Sequence, residues 1–204
     1  MGTIVLTSFI SLDGVMQSPG GPTEDPSGDF KDGGWLIPFA DVQFGEFVGG
    51  IFQRPSAFLL GRRTYDIFAS HWPKVTDPND PVAASLNALQ KYVVTSRAGL
   101  DWGPVTAIGS NLPAEIAKLK AMHPGEIQVH GSAKLACSLL EAGLVDSMNL
   151  VLAPLLLGSG KRLFGLNGSS AWALASSRKS DSGMLLNCYQ RAGAVGHANA
   201  PAPA

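Results

Sequence analysis

Apolar residues along this chain fall into two kinds of run, and their order sets the expected architecture. Residues 3–9 (Thr-Ile-Val-Leu-Thr-Ser-Phe) are almost continuously apolar and rich in β-branched side chains, as expected of a first strand buried on both faces. Similar short runs at 56–60, 91–94 and 127–130 predict three more strands, each ending at Gly, Ser or Thr. Between them the period changes. Val42, Phe44, Phe47, Val48 and Ile51 gather on one side of a helix predicted over 41–52, and Leu112, Ile116, Leu119 and Met122 recur at helical spacing. A short helix carries Tyr65, Ile67 and Phe68. Another carries Leu135, Leu139 and Leu140, with Ser132 as its expected N-cap and Gly143 as its left-handed terminator. Beyond Gly143 the stretches 145–152, 170–177 and 184–190 read as strands with no helix between them, which predicts antiparallel pairing. The pattern is that of one α/β domain whose parallel sheet is finished by antiparallel strands.

Two segments fall outside it. Residues 17–34 hold Pro19, Gly20, Gly21, Pro22, Pro26, Gly28, Gly33 and Gly34, and a loop of that length in a compact domain is expected to be functional or mobile. Residues 193–204 are Ala, Gly and Pro without a core-forming pattern and are expected to be disordered. Hydrophobic residues at 45% and charged ones at 15% exclude general disorder. The net charge of -1 offers no basic field for a nucleic acid. Neither a signal peptide nor a membrane-length apolar run is evident, so a cytoplasmic location without membrane contact is expected. Cys137 and Cys188 form no disulfide framework, and His71, His123, His130 and His197 show no metal or triad pattern.

The candidate chemistry lies where strands end. Gly61-Arg62-Arg63-Thr64 opens a helix, where free N–H groups and the helix dipole favour a phosphate. A capped helix with two surface arginines is the plainer alternative. Gly131-Ser132 repeats the arrangement after another strand, and Thr95-Ser96-Arg97 offers two hydroxyls and a guanidinium suited to a ribose 2′-phosphate. Together these junctions favour dinucleotide binding, although the Gly-x-Gly-x-x-Gly fingerprint is missing. Gly158-Ser159-Gly160-Lys161-Arg162 lacks the upstream glycine and the Ser or Thr of a phosphate loop. Asp13 either contacts a ligand or bonds its own turn. Asp41 either caps its helix or, in an apolar pocket beside Trp35 and Phe39, carries a raised pKa.

Ser11-Leu12-Asp13-Gly14, Leu60-Gly61-Arg62-Arg63-Thr64-Tyr65, Val94-Thr95-Ser96-Arg97, Gly143-Leu144-Val145-Asp146 and Pro154-Leu155-Leu156-Leu157-Gly158-Ser159-Gly160 occur in that order. The series resembles the RibD C-terminal family, the reductase domain of the riboflavin-biosynthesis deaminase-reductase, which shares its fold with dihydrofolate reductase. The resemblance covers roughly residues 1–192. It implies an α/β, dihydrofolate reductase-like three-layer fold, with a largely parallel central sheet flanked by helices and antiparallel C-terminal strands, in a homodimer. It also implies NADPH as cofactor. Gly61, Arg62, Arg63 and Thr64 would then lie at its phosphates and Thr95, Ser96 and Arg97 at the 2′-phosphate. Gly131, Ser132 and Ala133 would hold the pyrophosphate and nicotinamide side, and Gly14 would border the nicotinamide. Ser11, Trp35 and Phe39 fall on the substrate side, the proton comes from a carboxylate, Asp13 or Asp41, or from a bound water, and the 17–34 loop is a lid. The implied activity is NADPH-dependent reduction of a pteridine- or pyrimidine-type heterocycle, as in 5-amino-6-(5-phosphoribosylamino)uracil or dihydrofolate reduction. The rival is a non-catalytic nucleotide-binding dimer or sensor. No deaminase domain or its zinc signature accompanies these motifs, and the segment after Met16 is longer than the corresponding dihydrofolate reductase loop.

Overall fold

The computed structural model describes residues 1–165 and 168–198. Eight strands, β1 (Thr3–Ser11), β2 (Pro55–Gly61), β3 (Lys91–Val94), β4 (Val105–Ile108), β5 (Glu126–His130), β6 (Ser147–Ala153), β7 (Ala171–Lys179) and β8 (Leu185–Gly193), form one sheet. Their order is β4-β3-β2-β5-β1-β6-β8-β7. The strands β1 to β6 run parallel to one another, whereas β8 is antiparallel to both β6 and β7. The expected mixed sheet is therefore present, with one refinement: β6, though it follows β5 and α5 closely, joins the parallel part beside β1.

Five helices cover the sheet: α1 (Val42–Phe52), α2 (Arg62–His71), α3 (Pro81–Ala88), α4 (Leu112–Met122) and α5 (Ala133–Glu141). On one face Ile4, Leu6 and Ile10 of β1 and Ile127 and Val129 of β5 pack beneath α4 and α5. Leu135, Leu139 and Leu140 supply the buried stripe of α5, each worth roughly 1.5–3 kcal/mol of apolar burial. On the other face Ile51 and Phe52 of α1, Tyr65 of α2 and Leu86 of α3 meet Phe58, Leu60 and Val93. Three layers result. A third cluster, with Val15, Phe30, Trp35, Val151 and Leu186, lies where the 17–34 loop meets the ends of β1 and β6.

Local chemistry sets the ends of these elements. Asp41 caps α1 by accepting from Phe44 N at 2.9 Å, and Asp80 caps α3, which begins at Pro81. Gly143 takes φ +64 just past α5, as its left-handed terminator. Lys91, although in a strand, is fully buried: its Nζ donates to the carbonyls of Leu86 and Leu89 at the end of α3 and lies 4.5 Å from the Trp102 ring. Burial lowers its pKa to about 8. β8 runs to Gly193, into the segment expected to be a disordered tail, of which residues 199–204 lie outside the described residues. None of the helices among the described residues is long and apolar enough to cross a membrane.

Candidate functional site

Parallel strands bring all their C-terminal ends to one edge, so the junctions after β1, β2, β3 and β5 face the same rim of the sheet. In open α/β sheets such a rim is where ligands settle. The centre of this one is the meeting of Gly61 with Ser132. A Cβ built on Gly61 would stand 2.3 Å from Ser132 Oγ, and Thr64 Oγ1 lies 2.6 Å from the same hydroxyl. Gly61 has φ -78, which any residue adopts, so the close approach and not the backbone angle requires glycine.

Ser132 stands at the N-cap position of α5, yet its side chain makes no capping bond. Its hydroxyl is turned to Thr64, and the residue sits at φ +58 directly after Gly131 at φ +59. Two successive left-handed residues, one of them not glycine, are strained backbone of the kind that collects at functional sites. Gly61 cannot cap α2, and neither helix carries an acidic residue in its first turn. Two helix N-termini with uncapped N–H groups therefore converge at the rim, where backbone donors and helix dipoles favour an anion.

The two arginines of α2 have different destinations. Arg62 turns sideways: its Nε meets Asp66 Oδ1 at 2.7 Å, while its Nη atoms donate to the carbonyls of Ala98 at 2.6 Å and Gly99 at 3.1 Å. Arg62 thus holds the turn after β3 through its bonds to Asp66, Ala98 and Gly99. Arg63 projects over the rim toward the 17–34 loop, donating to Asp25 and Ser27. In the turn after β3, Thr95 Oγ1 accepts from Arg97 N at 3.0 Å, and Ser96 and Arg97 are exposed. Ala133 begins α5 beneath Ser132.

Neither candidate carboxylate is built to donate a proton. Asp13 accepts from Ser11 Oγ at 2.6 Å, Leu157 N at 3.1 Å, Gly158 N at 2.9 Å and Arg162 Nη2 at 3.1 Å. The Ser11 hydroxyl, then the Leu157 N–H, hold its pKa well below the usual carboxylate range. Asp41 accepts from Ser182 N as well as Phe44 N, both at 2.9 Å, and its pKa is likewise held far down, first by the Ser182 N–H. The raised pKa considered for Asp41 is therefore replaced by its opposite. Both side chains are fasteners: Asp13 pins the 157–162 segment beside Gly14 (φ +80), and Asp41 joins α1 to the β7–β8 turn.

The expected substrate contacts divide in the same way. Ser11 is fully buried, donating to Asp13 and accepting from Val15 N, so its hydroxyl locks the turn. Trp35 is buried, and its Nε1 donates to Gln17 O at 2.7 Å, which makes it the floor of the loop. Phe39 alone is half-buried, and it joins Phe9, Phe44 and Phe47 in an aromatic wall between the end of β1 and α1. Phe9 and Phe44 meet edge-on with centroids 5.5 Å apart. Sequence reasoning missed that wall, since Phe9 reads as ordinary strand core.

His130 closes β5 just before the rim. It stacks on Phe52 at 4.4 Å and donates from Nε2 to Gln128 Oε1 at 2.9 Å, the tautomer fixed because Gln128 Nε2 itself donates to Ile51 O. Burial pushes its pKa down to about 3, against about 6.5 in an unfolded chain. The folded state therefore holds the ring neutral, and the unfolded state binds the extra proton. Stability from this residue is complete above pH ~6.5 and is lost as the pH falls toward ~3, by a few kcal/mol in all. Denaturant midpoints at pH 7 and pH 5 check this: the wild type loses stability, and His130→Gln loses distinctly less. Equal losses would contradict it.

Comparisons with known proteins bear on the family and the fold. The family model described as the RibD C-terminal domain matches residues 2–186. YyaP of Bacillus subtilis (strain 168), a protein named as uncharacterized, is 28% identical over 163 residues, 79% of each chain. Among solved structures, a candidate riboflavin biosynthesis protein from Shewanella sp. PV-4 is similar with TM-score 0.65 and 21% identity, covering 93% of this chain and 98% of that one. A dihydrofolate reductase from Enterococcus faecalis, complexed with NADP(H), has TM-score 0.60 and 13% identity, covering 93% of this chain and 96% of that one.

Proposed function

The chain belongs to the RibD C-terminal domain family, and from that premise we propose that it is an NADPH-dependent reductase of a pteridine- or pyrimidine-type heterocycle. The observation that carries the reading is the contact of Gly61 with Ser132, which sets two uncapped helix N-termini side by side. A diphosphate has the charge and the acceptor oxygens to satisfy both. When bound, NADPH supplies a hydride to a C=N or C=O carbon of the substrate. The N–H groups opening α2 and α5, with Thr64, hold its diphosphate, and Thr95, Ser96 and Arg97 take the 2′-phosphate. Arg62 holds the turn that presents them.

On the substrate side the wall of Phe9, Phe39 and Phe44 stacks a flat ring and keeps bulk water away. Because Asp13 and Asp41 are ionised and their oxygens engaged, the proton comes from a water at the rim and not from either carboxylate. Catalysis in such a site is mainly positioning. The same reading has the protein act in the cytoplasm as a homodimer.

The test couples turnover to cofactor choice. NADPH oxidation is followed against dihydropterins, dihydrofolate and aminopyrimidine ribosides, and NADPH and NADH affinities are compared in wild type and Arg97→Ala. The expected result is turnover on one of these heterocycles and an NADPH affinity that falls about tenfold or more in the variant while NADH binding holds. NADPH binding without turnover on any of them would overturn the reductase in favour of a non-catalytic nucleotide sensor. Equal losses of NADPH and NADH would remove Arg97 from the 2′-phosphate.

A further inference from the structure

One charged cluster at the rim has no part in the reaction so far. Asp25, in the 17–34 loop, receives two cations from separate parts of the fold: Arg63 Nη1 on Oδ1 at 2.9 Å and Lys161 Nζ on Oδ2 at 2.5 Å. Ser27 Oγ lies 2.8 Å from the same Arg63 atom and 2.7 Å from Lys161 Nζ. Gln17 Nε2 donates to the carbonyls of both Asp25 and Ser27, at 2.8 Å each, so this part of the loop is folded to deliver its acid.

Three features set the cluster apart from a structural ion pair. Its charge does not balance, because Arg63 and Lys161 form ion pairs with Asp25 and with no other described carboxylate, leaving a surplus of one positive charge. Access is one-sided: the Asp25 side chain is 12% exposed, whereas Arg63 is 58% and Lys161 38% exposed, so solvent reaches the cations more readily than the acid. The anchors differ in kind: the cations rest on a helix and on the segment that Asp13 holds, whereas Asp25 is held within its own loop, by Ser18 Oγ and Gln17 Nε2. Arg63 belongs to the first turn of α2, and Lys161 follows Gly158, which Asp13 holds. Lys161 N also donates to Gln17 Oε1. Asp25 sits on a loop that places two non-glycine residues, Ser18 (φ 54) and Asp29 (φ 55), in left-handed backbone.

We propose that Arg63 and Lys161 form a phosphate seat at the rim, that Asp25 is its resident anion, and that a phosphate group of the incoming ligand displaces Asp25 and releases the 17–34 loop. This rests on the proposed nucleotide site and adds Lys161, of the Gly158–Arg162 stretch left unassigned by its sequence, to that site. A phosphate offers more acceptor oxygens and up to two charges where the carboxylate offers one, so it satisfies both cations and neutralises the surplus. Ligand entry and loop release become one equilibrium, and ligand affinity is reduced by the fraction of protein in which Asp25 holds the seat. The phosphate belongs either to the dinucleotide or to a phosphorylated substrate.

Hydrogen exchange of amides 17–34 in the full-length protein provides the test, with inorganic pyrophosphate, NADPH and ribose 5-phosphate as probes. The expected result is faster exchange in the loop with at least one probe at saturation. Binding of that probe is expected to tighten about tenfold in Asp25→Asn and to be lost, with the exchange response, in Lys161→Met. A response to pyrophosphate and NADPH assigns the seat to the dinucleotide, and a response to ribose 5-phosphate alone assigns it to the substrate. Loop exchange that stays unchanged or slows with all three probes overturns the proposal. If Asp25→Asn folds but binds the active probe no more tightly, the proposal also fails; if that variant does not fold, the wild-type exchange and Lys161→Met decide. Should pyrophosphate loosen the loop while NADPH binds to no variant, the seat stands and the NADPH reading of the preceding section falls.

Discussion

Gly61→Ala is expected to weaken the proposed nucleotide binding about ten- to a hundredfold and to lower the melting temperature, although it adds a single methyl group. That methyl would stand 2.3 Å from Ser132 Oγ and 2.8 Å from Ser132 Cβ, distances real side chains do not tolerate. Ser132 cannot retreat easily, because it sits in left-handed backbone between Gly131 and the first turn of α5. Overpacking of this kind costs roughly 1–3 kcal/mol. Relief comes only by parting the N-termini of α2 and α5, the geometry on which the anion site depends. A loss of that order in both stability and binding lowers NADPH affinity about ten- to a hundredfold. Thermal unfolding and a fluorescence titration of Gly61→Ala measure the two effects. A variant with the wild-type melting temperature and affinity would show that the contact has no such role.

Trp35→Ala is expected to be the most destabilising change in the apolar floor under the 17–34 loop. Trp35 is 6% exposed within the cluster that includes Val15, Phe30 and Leu36, and truncating a buried tryptophan costs roughly 3–5 kcal/mol. It also frees Gln17 O, so the residue that binds Asp25 and Ser27 loses its own support. Trp35→Phe keeps most of the apolar contact and gives up the Nε1 bond, at roughly 1 kcal/mol. Urea unfolding of both variants separates these contributions. A substrate-contacting Trp35 would behave otherwise: KM would rise in the alanine variant while the unfolding midpoint stayed near wild type.

The strands of this fold were legible because burial on both faces leaves a continuous apolar signature, as in β1, and α4 was legible because Leu112, Ile116, Leu119 and Met122 keep helical spacing. β4 and α3 were not. β4 is four residues long with Thr106 and Ala107 exposed at the sheet edge, and α3 buries only Ala83 and Leu86. The rim followed from sequence for a topological reason, since parallel strands must put their terminal glycines and hydroxyls on one side. Where each side chain points did not follow. Asp13 is fixed by N–H groups 144 and 145 residues away and Asp41 by one 141 residues away, and nothing local announces such partners. Arg62 and Arg63 are adjacent in sequence and alike in chemistry, yet the fold of the 97–99 turn claims the first and leaves the second for Asp25.

The proposed dinucleotide lies across the rim between Gly61 and Ser132. Mapping hydrogen exchange of the wild-type protein with and without saturating NADPH tests it most directly. The account predicts slowed exchange at residues 61–64, 95–97 and 131–133 together. Unchanged exchange at all three segments would contradict it. So would protection confined to the apolar basin of about 470 Å³ beside Trp172 and Tyr189.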